Sequence, residues 1–290
     1  MKHLISITGA GPGNPDLLTV KAYKRLANAD VVLYDALPGD EILDIAPPRA
    51  KLIYVGKIAC DGQNQTDRQN AINRLMHQFA DMGKKIVRLK GGDPMIFGRG
   101  AEEIQFCLDN GLNYEVIPGI SAAMAASAEF DIPLTERHKS PMVLLYTATR
   151  TNTGFNNLKC AVEVLKSGAA LSVYMGLNKL PEFIEALSEE GIPASTAVNI
   201  LSKVSHKEKE MLSGNLANIG QLLKQHKPAT PAVIIIGKYA QVLKSRESSL
   251  NVPEHASKHE AYSSEISIPA SLKSSQKPGY DFVTTMGLLT

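Results

Sequence analysis

Apolar residues in this chain fall into short blocks that alternate between two spacings. Residues 4–8, 30–35, 52–55, 86–89 and 114–117 are brief apolar, β-branched runs of strand length. Between them, residues 17–27 read as a helix, and 67–82 place Ile72, Leu75, Met76 and Phe79 at helical spacing. Such alternation predicts α/β layers on a mostly parallel sheet. Pro118-Gly119 reads as a hinge, followed by a helix of small residues over 121–128. A second series follows, with strands expected at 142–147, 170–175, 196–201, 208–213 and 232–237 and helices at 158–166, 180–190 and 216–225. The last strand, with Val233-Ile234-Ile235-Ile236, is β-branched enough to be central. The division expected is 1–119, 120–243 and a tail, 244–290, whose Ser, Lys, Glu, His and Pro lack the apolar content to offset ordering entropy.

Composition narrows the function. A net charge of +2 over 290 residues is too slight a bias to argue for nucleic acid or a membrane surface. Three scattered cysteines (Cys60, Cys107, Cys160) suggest a reducing compartment and no disulfide framework, and no ligand cluster suggests a metal. The start runs directly into a strand with no leader pattern, and no apolar run reaches the ~18 residues that span a bilayer. A cytoplasmic protein is expected.

Six constellations could carry chemistry. The loop from Gly91 to Gly100, between a strand and a helix start, combines a glycine pair, Asp93, Pro94 and Arg99. Glycines at a strand end let a ligand approach the backbone without meeting a Cβ. Gly9-Ala10-Gly11-Pro12-Gly13-Asn14 partly fits a dinucleotide turn, although Asn14 replaces the third glycine; a plain βα turn is the alternative. Asp35 ends a strand where a catalytic or ribose-binding carboxylate would sit, or it caps a turn. Lys57 lies at the same predicted sheet edge. Met175 ends a strand before Gly176, as core filler or pocket lining, and Arg137-His138-Lys139 forms a basic loop that is either solvated or suited to carboxylates.

Taken in order, these pieces resemble the uroporphyrinogen-III C-methyltransferases, a branch of the tetrapyrrole methylases, over roughly residues 3–242. The motifs are Gly-Ala-Gly-Pro-Gly at 9–13, Ala-Asp-Val-Val-Leu-Tyr-Asp at 29–35, Tyr-Val-Gly-Lys at 54–57, Val-Arg-Leu-Lys-Gly-Gly-Asp-Pro at 87–94, Ile-Phe-Gly-Arg-Gly at 96–100, Pro-Gly-Ile-Ser at 118–121, Ile-Pro-Leu-Thr at 132–135 and Tyr-Met-Gly at 174–176. Each is modest, and the ordered set is specific. The resemblance implies a two-domain α/β fold, each domain a mixed sheet flanked by helices, with S-adenosyl-L-methionine in the cleft between. It implies methylation of C2 and C7 of uroporphyrinogen III to precorrin-2, on the way to siroheme or cobalamin, with S-adenosyl-L-homocysteine as by-product. It also implies a homodimer and, since the dehydrogenase–chelatase domain of fused siroheme synthases has no counterpart in this sequence, a single activity. Carried over by position, cofactor contacts fall on Pro12, Gly91, Gly92, Asp93, Ile96, Ser121, Ala122, Met175 and Val204. Acid–base roles fall on Asp35 and Lys57, and a substrate-end role on Arg99. Arg68 and Arg137 would help hold the polyanionic tetrapyrrole. Glu136, Ala148-Thr149 and Ser202 depart from the family's usual residues.

Overall fold

The computed structural model describes residues 4–56, 65–148, 150–151 and 154–243. The expected tail, Lys57 and Cys60 lie outside these. In chain order the elements are β1 (Ile5–Gly9), α1 (Val20–Leu26), β2 (Val31–Tyr34), α2 (Asp40–Leu43), β3 (Lys51–Tyr54), α3 (Gln65–Asp81), β4 (Ile86–Lys90), α4 (Gly100–Asp109), β5 (Tyr114–Ile117) and α5 (Ala122–Glu129). Then come β6 (Val143–Thr147), a small hairpin of β7 (Arg150–Thr151) and β8 (Gly154–Phe155), α6 (Leu158–Lys166), β9 (Ala170–Tyr174), α7 (Leu180–Glu189), β10 (Ala197–Ser202), β11 (Glu210–Asn215), α8 (Ile219–Gln225) and β12 (Ala232–Gly237).

The first five strands form one sheet in the order β3-β2-β4-β1-β5, and all its pairings are parallel. Alternation of side chains sorts them onto two helical layers. Ile5, Ile7, Leu33 and Ile86 pack with Ile72 and Met76 of α3 and Cys107 of α4. Val32, Val87 and Leu89 face the other way, against Leu26 of α1 and Ile42 and Leu43 of α2. The chain leaves β1 toward β2 on one side and leaves β4 toward β5 on the other. The neighbouring ends of β1 and β4 are therefore the switch point, where open α/β sheets receive ligands.

The second sheet runs β11-β10-β12-β9-β6. Here the mostly parallel arrangement expected from the alternation gives way. Only β6 and β9 pair in parallel, while β9–β12, β12–β10 and β10–β11 are antiparallel. The strand–helix rhythm persists up to α7, but β10 and β11 are joined by a short turn without a helix, and such neighbours run antiparallel. β12 is central, as its β-branched composition predicts. One face packs on α6, α7 and α8 through residues such as Val162, Phe183 and Ile219. The other takes Ala123 and Ala126 of the small-residue helix α5.

Element ends shift where caps decide them. The helix expected from residue 17 starts at Val20, because the Thr19 side chain accepts a hydrogen bond from the Ala22 amide, and residues Pro15–Leu17 form a separate 3-10 turn. The four-residue α2 is too short to leave a periodic signal.

Glu115 of β5 ties α1 to the sheet. It accepts hydrogen bonds from Ser6 Oγ (2.8 Å) and Arg25 Nε and pairs with Lys21 Nζ at 2.7 Å. Burial pushes its carboxyl up, but Arg25, Lys21 and Ser6 outweigh this and pull it down to about 2. The folded state therefore favours the ionised form. The stabilisation is complete above about pH 5 and is lost as pH falls through the unfolded value of 4.5 toward 2. Glu115→Gln should lower unfolding free energy by about 1–2 kcal/mol at pH 7, reduced by the half-exposed cations, and denaturant titrations should show the difference shrinking below pH 4.5 and vanishing only below about 2.

Candidate functional site

The site is built where β1, β4 and β5 end. Gly11 and Gly92 exchange backbone hydrogen bonds (Gly11 N to Gly92 O 3.2 Å, Gly92 N to Gly11 O 2.7 Å), stapling the first glycine turn to the loop after β4. Gly9, Gly92 and Gly119 meet backbone to backbone. A Cβ on Gly119 would lie 2.2 Å from Gly92 O, and one on Gly9 would lie 2.5 Å from Gly119 N. Gly92 also holds φ +68°, which L-residues rarely adopt. Asp93 closes the loop rather than projecting from it: Oδ1 accepts from Met95 N at 2.8 Å and Oδ2 from Gly119 N at 3.0 Å. The expected hinge Pro118-Gly119 is thus fastened to the 91–100 loop.

The second sheet reaches the same place through the end of β9. Tyr174 Oη sits 2.6 Å from Ser121 Oγ and accepts from Ala123 N at 3.0 Å, and its ring lies 5.1 Å from that of Phe97. Met175 follows with φ +54° and is 68% exposed, so it is not core filler. Val204 is buried beside Ala123 and Ala126, between Lys203 and Ser205, both at positive φ. His206 then lies against the first glycine turn, where a Cβ on Gly13 would be 2.6 Å from Nε2. The turns bearing Pro12, Gly91, Gly92, Asp93, Ile96, Ser121, Ala122, Met175 and Val204 are therefore linked by direct contacts into one neighbourhood.

The charged residues behave less uniformly. Asp35 follows β2 with Oδ1 accepting from Leu37 N at 3.1 Å, so it caps a turn while Oδ2 faces Arg88 Nη2 at 3.9 Å. Tyr54, at the end of the neighbouring strand, has its hydroxyl pushed up by burial and by Asp35 and drawn down by Arg68, which puts Arg68 in the same field. Arg99 occupies the N-cap of α4 at φ +59° and is engaged by Glu102, with Nε 2.8 Å from Oε1, so its guanidinium is already partnered. Arg137 is not brought to this end. Its exposed turn precedes β6, and the adjoining Lys139 carbonyl would lie 3.3 Å from a Cβ on Gly168, before the start of β9. That is the opposite end of the strand from Met175, which lies about 17 Å from the first residue of β9. In the same turn Glu136 pairs with Lys139 at 2.6 Å, which neutralises the unexpected carboxylate locally. Ala148 is buried in the second core. Ser202 is buried, and its hydroxyl has no partner among the described residues.

Sequence reasoning overlooked a buried charge cluster. Arg88 and Lys90 interrupt an otherwise apolar strand, and both turn onto the α3–α4 side, where Glu103 accepts from Arg88 Nε and Lys90 Nζ at 3.0 Å each and from Gln69 Nε2 at 3.3 Å. Burial pushes the Lys90 amine down, with Arg88 adding to it. Burial pushes the Glu103 carboxyl up, but Arg88 and Lys90 outweigh it and leave it lowered. Two cations in a buried strand are the legible signal, since buried charges demand a partner.

The model of the Tetrapyrrole (Corrin/Porphyrin) Methylases matches residues 5–220. The chain belongs to the tetrapyrrole methylases. Among curated relatives, the siroheme synthase of Psychrobacter cryohalolentis is 41% identical over 234 residues, covering 80% of this chain and 44% of that one. The chloroplastic S-adenosyl-L-methionine-dependent uroporphyrinogen III methyltransferase of Arabidopsis thaliana is 36% identical over 238 residues, covering 82% and 64%. This tetrapyrrole methylase thus spans about half the length of the siroheme synthases it matches. The uroporphyrin-III C-methyl transferase of Thermus thermophilus, solved with S-adenyl homocysteine, superposes with TM-score 0.69 at 31% identity, covering 83% of this chain and all of that one.

The glycine junction has no room for a side chain at Gly9 or Gly119. Gly119→Ala forces backbone against backbone and should cost about 1–3 kcal/mol or more in denaturant unfolding, whereas Gly111→Ala, whose Cβ would meet nothing within 4 Å, should cost only the strain of its positive φ.

Proposed function

We propose that this tetrapyrrole methylase is an S-adenosyl-L-methionine-dependent uroporphyrinogen-III C-methyltransferase, acting at C2 and C7 to give precorrin-2. The observation that carries the proposal is the junction of the first glycine turn, the 91–100 loop and the end of β9 at the switch point of the first sheet. Similarity to proteins named as uroporphyrinogen III or uroporphyrin-III methyltransferases supports the methyl transfer.

In this reading Gly91, Gly92 and Asp93 offer backbone to the donor, with Pro12, Ile96, Ser121, Ala122, Met175 and Val204 forming the rest of its pocket. The half-buried backbone of Gly91 and Gly92 and the small, half-buried Ala122 at the start of α5 suit close approach of a bulky nucleoside. The sulfonium carbon is attacked in line by a pyrrole carbon. A carbon–carbon bond forms, the carbon–sulfur bond breaks, and its electron pair leaves on S-adenosyl-L-homocysteine. Fixing donor and acceptor supplies much of the acceleration. The methylated ring must then lose a proton, and Asp35, whose Oδ2 accepts no hydrogen bond among the described residues, is the base we assign. Lys57 is assigned the complementary acid role. Arg68 orients the substrate's carboxylates, and Arg99 does so by exchanging Glu102 for substrate. Arg137 is left out of the substrate site because its turn lies at the far end of β9. The division at residues 119 and 120, a homodimer and a cytoplasmic location belong to the same proposal; sedimentation tests the dimer.

The purified chain with S-adenosyl-L-methionine and uroporphyrinogen III should yield a methylated product that fluoresces red after oxidation, and calorimetry should detect S-adenosyl-L-homocysteine but not NAD. Turnover of another precorrin in place of uroporphyrinogen III, or binding of NAD alone, would overturn the reading. Asp35→Asn should lower kcat about a hundredfold or more while leaving S-adenosyl-L-homocysteine affinity within about twofold.

A further inference from the structure

The buried cluster under β4 has no part in the proposed chemistry, yet one of its members reaches the proposed base. Arg88 is 4% exposed and sits in register with Leu33 of β2. Its guanidinium is fixed from three sides: Nε donates to Glu103 Oε1 at 3.0 Å, and Nη1 donates to the backbone oxygens of Leu89 (2.9 Å) and Leu33 (3.3 Å). A planar guanidinium held at Nε and Nη1 has no freedom left for Nη2. That nitrogen faces Asp35 Oδ2 at 3.9 Å, close enough for charge attraction and beyond hydrogen-bond length.

We infer that Arg88, anchored by Glu103, is a positioning residue that holds the Asp35 carboxylate in place for the methylation reaction without occupying its proton-accepting oxygen. The inference rests on the proposed role of Asp35. The two oxygens of that carboxylate are treated differently. Oδ1 is spent on the Leu37 amide, while Oδ2 is attracted by a cation that does not donate to it. A direct Arg–Asp hydrogen bond would fix the side chain more tightly but compete with the incoming proton. Other groups acting on Asp35 are Tyr54 from β3 and Lys90 from β4, with Arg68 of α3 beside Tyr54. Lys90 also explains why three basic and acidic groups are buried together. Arg88 faces two carboxylates, Glu103 and Asp35, and Lys90 supplies the second cation, so the four charges sum to zero. When Arg88 is neutralised, Glu103 gives up one hydrogen bond but keeps Lys90 at 3.0 Å, whereas Asp35 loses the cation that faces its Oδ2.

A double-mutant cycle between Arg88→Gln and Asp35→Asn tests this, using the full chain with S-adenosyl-L-methionine and uroporphyrinogen III. Arg88→Gln should lower kcat about ten- to a hundredfold, with KM for both substrates and the Kd of S-adenosyl-L-homocysteine within about twofold. In the Asp35→Asn background the same substitution should change kcat by less than about twofold, because the group it positions is gone. Arg88→Lys keeps the charge but cannot hold Glu103 and face Asp35 together; it should fall between wild type and Arg88→Gln, and it replaces Arg88→Gln in the cycle should that variant not fold. Equal kcat losses in both backgrounds, or a Kd that rises in step with the kcat loss, would reduce Arg88 to a structural residue and overturn this inference alone. Full turnover by Asp35→Asn would remove the base and this inference with it while leaving methyl transfer standing. A wild-type chain inactive on uroporphyrinogen III would overturn both the proposed function and the inference.

Discussion

Three glycines without side chains at the ends of β1, after β4 and after β5 allow the backbone to converge to a distance no other residue permits. The rest of the molecule is arranged around that convergence. Because Gly9, Gly92 and Gly119 touch, the first glycine turn, the 91–100 loop and the passage to the second half share one junction, and Asp93 locks it by spending both carboxylate oxygens on neighbouring amides. A loop built this way presents backbone rather than side chains to whatever binds beside it. It also leaves little room to drift, since each strand end is braced by the other two.

The same economy of space appears on the second half. The alanines of α5 bring that helix close enough to the sheet for a backbone amide, Ala123 N, to reach the Tyr174 hydroxyl. Larger side chains there would lift the helix from β9 and separate Ser121 from Tyr174. Packing of small residues and placement of polar groups are, at this point, one requirement.

Much of the fold was legible because its strands are short, apolar and bounded by Gly and Pro. β4, α6 and β12 lie where their periodicity puts them, and the central position of β12 follows from its β-branched composition. The direction of the strands in the second sheet was not legible. Period and composition report burial, whereas direction depends on whether a helix crosses between neighbours, and none separates β10 from β11. At the site, glycines and strand-end positions were readable because their conformational demands are local. Partner choice was not: Arg99 finds Glu102 one helical turn on, and Arg137 falls at the wrong end of β9, a placement that depends on the three-dimensional course of the chain. Arg88 and Glu103 stood in view as charges in elements that had to be buried, but naming them as partners required knowing which face of β4 meets α4.

Tyr174 has a mechanical meaning that reaches past its hydrogen bonds. Its ring leans on Phe97 from the loop of the first half, while its hydroxyl is held by the helix of the second. Any sliding of one half past the other must therefore either break an aromatic contact or drag the loop along. Relative motion of the two sheets and reshaping of the 91–100 loop are in this way a single coordinate, so that strain applied to one sheet would be felt as a change of loop shape beside the other.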